Sequence, residues 1–200
     1  MIDEIVAALE AGEAVVLPTD TVYGLAALAA DHDATAKLFA IKGRTADVPV
    51  AVLCADAEQA LSLAEDGGDD AVRAVAARWW PGAVTLVVRR AAHVDLQLGE
   101  PRHTIGLRVP DHDLVRAVAA RVGPIATTSA NLAGHAPVGS AAMARRTLGP
   151  AVGLVVDGGT LHGSASAVLD TTTQPWGVLR MSDAVPDILG LLEADGGSAG

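Results

Sequence analysis

The sequence predicts a single α/β domain in which helices pack against one β-sheet. Apolar runs with the two-residue repeat of a strand alternate along the chain with segments that have the 3.6-residue repeat of a helix. The length of 200 residues suits one ordinary domain, and no linker-like stretch divides it. We therefore expect one domain over residues 1–193, followed by a disordered tail at 194–200.

The individual elements follow from these repeats in chain order. Asp3, Asp33 and either Asp111 or Asp113 are the expected N-caps of three helices, because their carboxylates can accept the first backbone N–H groups. The helical pattern predicts helices at 3–11, 33–42, 56–64, 69–79, 111–121, 140–148 and 183–193. The strand pattern predicts strands at 14–18, 23–28, 48–53, 83–89, 104–109, 125–131, 153–157, 167–170 and 177–181, of which 125–131 runs into a loop.

Composition and charge exclude several classes of protein. The 14 Lys and Arg against 24 Asp and Glu give a net charge of −10, which argues against a protein that coats nucleic acid regardless of sequence. No stretch reaches the ~18 apolar residues that a membrane-spanning helix needs. Cys54, the single cysteine, cannot form an internal disulfide, and the six histidines lack metal-ligand spacing. The acidic N-terminal sequence is unlike an export signal, and we expect a cytoplasmic protein.

Polar side chains follow or interrupt apolar strands at several places. Residues 19–21 (Thr-Asp-Thr) come directly after a strand, where they form either a hydrogen-bonded turn or a ligand-binding edge. Strand alternation places Thr104, Gly106 and Arg108 on one face of their strand, so that a cation projects from it. Arg180 lies on an otherwise apolar strand and requires an anionic partner.

Three further segments have both a structural and a functional interpretation. Lys42 and Arg44 flank a glycine at a helix end, as in a C-cap or in a cationic site. The hydroxyl-rich segment 126–131 is either a helix cap or a loop that contacts an anion. The segment 163–166 is most simply a connector. Common phosphate-loop, dinucleotide, zinc-protease and serine-hydrolase motifs are absent from the sequence.

Together these segments resemble the YrdC-type family of threonylcarbamoyl-AMP synthases. The resemblance extends from about residue 5 to 190, and the order and spacing of its motifs match as well. The matching motifs are LPTDTVYGL (17–25), IKGR (41–44) with a proline at 49, WPGAVTLV (80–87), TIGLRVP (104–110), TTSAN (127–131) and the late SxxxD (166–170) with LR (179–180). The resemblance implies a twisted, mixed parallel/antiparallel sheet with flanking helices and a concave basic cavity.

The resemblance also implies a reaction, in which L-threonine, bicarbonate and ATP with Mg²⁺ give threonylcarbamoyl-AMP and pyrophosphate. The product would pass to a tRNA threonylcarbamoyl-transferase complex, while direct tRNA binding stays open. The residues implied for threonine binding are Thr21, Arg108, Thr127 and Ser166. Those implied for ATP binding are Arg44, Thr104, Ser129, Asn131 and Arg180. Lys42 and Arg44 are implied as the catalytic cations, and no residue is implied as a metal ligand.

Three positions depart from the family pattern. Val48 stands where many relatives have lysine or asparagine, and Leu53 stands where some have a histidine near threonine. Ala167 replaces a threonine that commonly follows the loop serine. These departures motivate an alternative, a divergent nucleotide- or RNA-binding protein of this fold without synthase activity. A third possibility is a carbamoyl-adenylate-forming enzyme that uses another amine or carbamoyl phosphate.

Overall fold

The computed structural model describes residues 1–43 and 45–196. Its helices are α1 (Ile2–Glu10), α2 (His32–Lys42), α3 (Ala57–Leu61), α4 (Asp70–Trp79), α5 (Asp113–Val122), α6 (Ala141–Leu148) and α7 (Val185–Gly196). Its strands are β1 (Val15–Leu17), β2 (Gly24–Leu28), β3 (Ala51–Leu53), β4 (Val84–Arg89), β5 (Thr104–Arg108), β6 (Ile125–Ser129), β7 (Leu154–Val155), β8 (Ala167–Asp170) and β9 (Gly177–Arg180). Short 3₁₀ turns occur at Glu65–Gly67 and Gly149–Ala151.

The strands of the described chain form one mixed sheet. Their order across the sheet is β7-β1-β2-β6-β3-β5-β4-β8-β9. The pairs β1–β7, β3–β5 and β4–β8 are parallel, and the remaining neighbours are antiparallel. The α/β fold class with a mixed sheet and flanking helices is therefore confirmed.

Different helices cover the two faces of the sheet. One apolar cluster joins α2, α4, α6 and α7 to strand residues such as Leu86 and Leu107. The other joins α1 and α5 to residues such as Leu53 and Ile125. Within the described residues, this second cluster draws on β1, β2, β3, β6 and Val156 and on none of β4, β5, β8 or β9. The second face is thus left open over those four strands, where a ligand can approach the sheet.

The alternation predicted for β5 is confirmed. Ile105 and Leu107 are buried in the cluster that contains α2 and α4. Thr104, Gly106 and Arg108 lie on the opposite, partly open face. A polar face and an apolar face therefore belong to the same five-residue strand.

Three of the predicted helix caps are wrong, because other residues occupy the N-cap positions. The N-cap of α1 is Met1, and Asp3 instead forms an ion pair with Arg121 of α5 at 3.0 Å. The N-cap of α2 is Asp31, whose Oδ1 accepts from the Ala34 amide at 2.9 Å, so that the expected cap Asp33 lies in the first turn.

The cap of α5 is His112 rather than Asp111 or Asp113. Asp113 lies inside the helix and pairs with Arg116 at 2.6 Å. The predicted strand 48–53 is reduced to β3, since Pro49 has no N–H to donate to a ladder. The differences from the predicted boundaries thus come from ion pairs formed in the folded chain and from the missing N–H of proline.

Other boundaries differ by a few residues. The predicted helix 56–64 ends at Leu61, because the chain then pairs with the end of β4 through Ala64 and Arg90. Helix α7 begins at Val185 and extends to Gly196, so residues 194–196 of the expected tail are helical. Positions 197–200 lie outside the described residues. No helix in the described part of the chain has the length and apolar character needed to cross a bilayer.

Candidate active site

A cavity of about 360 Å³ opens on the uncovered face of the sheet. Its floor comes from β3, β5, β4 and β8, and its walls come from segments around residues 19–24, 48–50, 127–129 and 165–166. The predicted site residues that line it are Thr21, Thr104, Arg108, Thr127, Ser129, Ser166 and Arg180. The topology therefore brings together motifs that are far apart in the sequence.

The register of the strands separates the cavity into two ends. Thr104 and Arg108 are four residues apart on β5, which corresponds to about 13 Å of strand. Thr127 of β6 pairs with Ala51 of β3, one residue before the Val52–Leu107 pair, so Thr127 is level with Gly106. Strand β6 is antiparallel to β3, and Ser129 therefore lies toward Thr104. We call these the Thr104 end and the Arg108 end, and Gly106 lies on the floor between them.

Arg108 is held by three protein acceptors and is only 6% exposed. Its Nε donates to the Gly82 carbonyl at 2.9 Å, Nη1 donates to Thr21 Oγ1 at 3.0 Å, and Nη2 donates to Asp20 Oδ1 at 2.6 Å. A guanidinium has five N–H groups, so one remains on each terminal nitrogen for a ligand. Burial lowers the pKa of Arg108 below its ordinary value, and the Asp20 carboxylate opposes that shift. Arg108 is therefore a buried cation of fixed orientation with two N–H groups available to a ligand.

The Gly82 carbonyl reaches Arg108 because of a tight turn after α4. A Cβ at Gly82 would lie 2.5 Å from the Trp79 carbonyl oxygen, which no ordinary side chain tolerates. Glycine at this position therefore lets the backbone bend back toward β5. The WPG segment thus supplies an acceptor to the cavity rather than a side chain.

Arg180 reaches the same cavity from the edge strand β9. Its Nε and Nη2 donate to the carbonyl and the hydroxyl of Ser166, at 2.5 and 2.9 Å. The Ser166 hydroxyl also lies 3.0 Å from Thr85 Oγ1. Burial first, and then the charge of Arg108, lowers the pKa of the Arg180 guanidinium. Two cations thus approach each other across the floor, an arrangement that an anion between them would stabilise.

Lys42 and Asn131 lie beside the cavity wall rather than among the residues that line it. Lys42 is 4% exposed, and its Nζ donates to the Ser129 carbonyl at 2.7 Å and to Asn131 Oδ1 at 3.0 Å. These bonds fix the loop that presents the Ser129 hydroxyl. Arg44 lies outside the described residues. The catalytic role assigned to Lys42 and Arg44 stays a prediction.

Several residues of the site were missed from sequence. For Asp20, which belongs to the Thr-Asp-Thr segment already singled out, the missed feature is its ion pair with Arg108. The signal was Arg108 itself, since a buried arginine requires an anionic partner. Thr85 is a lone hydroxyl on an apolar strand. Arg90 also lines the cavity, and it donates to the Leu96 and Thr104 carbonyls at 2.7 and 3.0 Å. Burial, followed by the nearby charge of Arg102, lowers the pKa of Arg90.

A glycine-rich loop at residues 158–166 closes the Arg108 end. The Tyr23 hydroxyl donates to the Gly159 carbonyl at 2.7 Å and accepts from the Gly158 amide at 3.0 Å. A Cβ at Gly163 would collide with the Thr21 carbonyl, so the loop lies directly on that residue. The loop therefore packs against Thr21, and it ends at Ser166, which lines the same cavity.

Comparison with known proteins decides the family. The Sua5/YciO/YrdC family model, which is described as telomere recombination, matches residues 7–182. The chain belongs to the Sua5/YciO/YrdC family. A Mycobacterium tuberculosis (strain H37Rv) member with the provisional name threonylcarbamoyl-AMP synthase is 38% identical over 194 residues, which cover 93% of this chain and 88% of the relative. The Pyrococcus abyssi threonylcarbamoyl-AMP synthase is 35% identical over 171 residues, which cover 84% of this chain and 50% of that protein.

Solved structures of the Sua5/YciO/YrdC family share the fold. P. abyssi Sua5 complexed with L-threonine has a TM-score of 0.87 at 30% identity, over 94% of this chain and 57% of that one. Escherichia coli YciO has a TM-score of 0.83 at 26% identity, over 92% and 91%. The resemblance inferred from the motifs is confirmed at the level of family and fold. The roles of individual residues stay predictions.

Proposed function

We propose that this chain is an L-threonylcarbamoyladenylate synthase, a nucleotidyltransferase that forms threonylcarbamoyl-AMP and pyrophosphate from L-threonine, bicarbonate and ATP. Homologues named threonylcarbamoyl-AMP synthase in P. abyssi and Bacillus subtilis support this function over a divergent nucleotide- or RNA-binding protein. The structural observation that carries the proposal is the convergence of Arg108 and Arg180 in one cavity with hydroxyl groups at both ends. That arrangement suits a reaction between two anions.

The proposed chemistry needs positioning and charge neutralisation rather than a nucleophile from the protein. The amine of threonine combines with bicarbonate to give a carbamate and water. A carbamate oxygen then attacks the α-phosphorus of ATP, and pyrophosphate leaves. Carbamate and triphosphate repel each other, and Arg108 and Arg180 offset that repulsion within a partly enclosed site.

We place the substrates by the chemistry of the two ends. At the Arg108 end, the two remaining N–H groups of Arg108 suit a carboxylate. Ser166 offers a hydroxyl group there, and Thr127 offers one in the middle of the floor, level with Gly106. At the Thr104 end, Thr104 and Ser129 suit the nucleotide, whose phosphates extend toward Arg180. The P. abyssi Sua5 structure contains L-threonine, which supports threonine as the amino-acid substrate.

Mg²⁺ enters this proposal as part of the MgATP substrate. Within residues 1–43 and 45–196, no group of three histidine, cysteine or acidic side chains is suited to hold a metal ion. The polar side chains that line the cavity are hydroxyl and guanidinium groups, which fit phosphate oxygens. In protein sites Mg²⁺ commonly retains water and binds through substrate phosphates.

The product is a reactive mixed anhydride, and we propose that a tRNA threonylcarbamoyl-transferase complex consumes it. We also propose that the chain acts in the cytoplasm, together with that complex. Direct contact with tRNA is a separate question, which the net charge of −10 does not favour.

The test is pyrophosphate release from MgATP, with and without L-threonine and bicarbonate, followed by mass spectrometry of the adenylate. We expect release that requires both co-substrates and a product with the mass of threonylcarbamoyl-AMP. Arg108→Ala and Arg180→Ala are expected to abolish release, whereas Arg121→Ala, which removes an exposed cation on α5, is expected to leave it unchanged. Absence of release from a folded protein that binds ATP would refute the proposal, as would full activity of Arg180→Ala.

A further inference from the structure

Arg90 lines the Thr104 end of the cavity and directly follows the last residue of β4. Its Nε and Nη2 both donate to the Thr104 carbonyl, at 3.2 and 3.0 Å, and its Nη1 donates to the Leu96 carbonyl at 2.7 Å. These bonds hold the guanidinium against the start of β5 and the loop before it. A guanidinium has five N–H groups, so one remains on Nη1 and one on Nη2.

The positive charge of Arg90 has no ionic partner in the described part of the chain. No carboxylate there forms an ion pair with it, whereas Arg108 is paired with Asp20. The hydrogen-bond partners of Arg90 are neutral carbonyl groups of the main chain. A cation held in this way on a cavity wall, with two remaining N–H groups, suits a ligand that carries hydrogen-bond acceptors.

The cavity wall beside Arg90 is apolar. The segment that precedes β3 runs level with Thr104, because β3 is parallel to β5. Val48 and Pro49 of this segment line the cavity, and so does Leu98, whose carbonyl bonds to the same segment at 2.9 Å. These side chains have no hydrogen-bonding groups, so they cannot replace the water around phosphate oxygens. They suit the apolar faces of a flat ring.

The position of Arg180 gives the direction in which the nucleotide extends. Arg180 pairs with Val168, which pairs with Thr85 of β4, so Arg180 is level with Thr85. Arg90 comes five residues after Thr85, which corresponds to roughly 16 Å of extended chain. The phosphates that bind Arg180 are therefore remote from Arg90, and the part of ATP that reaches the Thr104 end is the nucleoside.

We propose that Arg90 binds the purine base of the nucleotide at the Thr104 end. The inference rests on the proposed function, which makes ATP the ligand of that end. A purine has two apolar faces, which fit the wall formed by Val48, Pro49 and Leu98. It also has ring nitrogens at its edge that accept hydrogen bonds. The two remaining N–H groups of Arg90 donate to this edge.

A contact with the base has a distinct kinetic signature. ATP and the adenylate carry the same purine, and no bond of the purine changes in the proposed reaction. The contact therefore stabilises the substrate complex and the transition state equally. Its loss raises the KM for MgATP and leaves kcat nearly unchanged. The KM for L-threonine is not affected, because threonine binds at the opposite end of the cavity.

The test uses Arg90→Met, which keeps an unbranched side chain and removes the charge and the donors. Calorimetry in the presence of Mg²⁺ measures affinity for ATP, for AMP, which keeps the base and one phosphate, and for inorganic tripolyphosphate, which has no nucleoside. We expect ATP and AMP to bind about tenfold more weakly, the lower end for loss of a hydrogen bond from a charged donor. Tripolyphosphate affinity is expected to change less than about twofold, because a charge this remote is screened by salt.

Arg89→Met is the matched control. Arg89 is the neighbouring cation, it is exposed, and it lines a separate depression between residues 65–72 and 171–174. Its loss removes the same charge from the same part of the chain, and we expect every affinity to change less than about twofold. Should Arg90→Met fail to fold, Arg90→Lys keeps the charge without the planar guanidinium. For Arg90→Lys we expect a smaller loss that again affects ATP and AMP but not tripolyphosphate.

Three results would overturn the inference. The first is unchanged binding of ATP and AMP by Arg90→Met. The second is a loss shared by ATP and tripolyphosphate but not by AMP, which would assign Arg90 to the phosphates. The third is an equal loss for the nucleotides and for L-threonine together with a lower kcat, which would mean that Arg90 only supports the fold. If the wild type binds MgATP and forms no adenylate, the proposed function itself is wrong, and this result is distinct from all three.

Discussion

Replacing Asp20 with asparagine tests whether the buried ion pair organises the Arg108 end. Asp20 and Arg108 lie 2.6 Å apart, with side chains that are only 13% and 7% exposed. Asp20→Asn keeps the shape of the side chain and removes its charge. Arg108 then stays buried as an uncompensated cation, because its remaining partners, Thr21 and the Gly82 carbonyl, are neutral.

The expected loss follows from the burial of the pair. Removing one partner of a buried pair costs roughly 3–5 kcal/mol of unfolding free energy, and the cavity gives Arg108 some access to water. We therefore expect about 3 kcal/mol, which for a domain of this size lowers the Tm by about 6–12 °C. Asp3→Asn is the matched control. The Asp3–Arg121 pair is 88% and 54% exposed, and its loss should cost less than about 1 kcal/mol.

The assay is urea unfolding followed by tryptophan fluorescence, since Trp80 and Trp176 are buried in the native protein. The double variant Asp20→Asn/Arg108→Gln completes the comparison. Because removing both charges leaves neither one unpaired, we expect it to recover most of the stability lost in Asp20→Asn. A loss below about 1 kcal/mol for Asp20→Asn, or additive losses in the double variant, would refute the reasoning.

Three other predictions concern single positions. Gly82→Ala should lower the unfolding free energy by about 1–3 kcal/mol, because the new Cβ collides with the Trp79 carbonyl. It should also weaken threonine binding, because the Gly82 carbonyl that accepts from Arg108 is displaced. Wild-type values in urea denaturation and calorimetry would contradict this. Gly190→Ala on α7 has open space around its Cβ and should raise the unfolding free energy by about 0.5–1 kcal/mol; a measured loss would count against it. Burial raises the pKa of the Cys54 thiol to about 12. Mass spectrometry should therefore detect no alkylation by iodoacetamide at pH 8 without denaturant, and rapid labelling would show an accessible thiolate.

Features of the fold that depend on the local hydrophobic repeat were predicted correctly from the sequence. The polar and apolar faces of β5 follow from the two-residue repeat of any strand, and the structure confirms them. The N-caps of α1 and α2 were wrong, because a carboxylate near a helix start has alternatives that the sequence does not display. Asp3 pairs with Arg121, which is 118 residues away.

The partners within the site depend on tertiary structure in the same way. The motifs indicated which residues form one site, because the order and spacing of the motifs resemble those of a known family. They did not indicate that Asp20 bonds to a residue 88 positions away, or that Arg108 is completed by the backbone of Gly82. The burial of Lys42 likewise depends on the loop that follows β6. Such contacts arise from the sheet order, which local patterns do not encode.

The geometry of β5 bears on how specificity can diverge within this cavity. Side chains at the two ends are separated by about 13 Å of backbone, farther than the roughly 7–10 Å beyond which mutational effects add independently. Leu53 is in register with Arg108 and lies at the Arg108 end, where we propose that the amino acid binds. We expect a substitution of Leu53 to change which amine binds at the Arg108 end. The same substitution should leave the nucleotide position at the Thr104 end unchanged. The two specificities of the enzyme can therefore evolve one at a time.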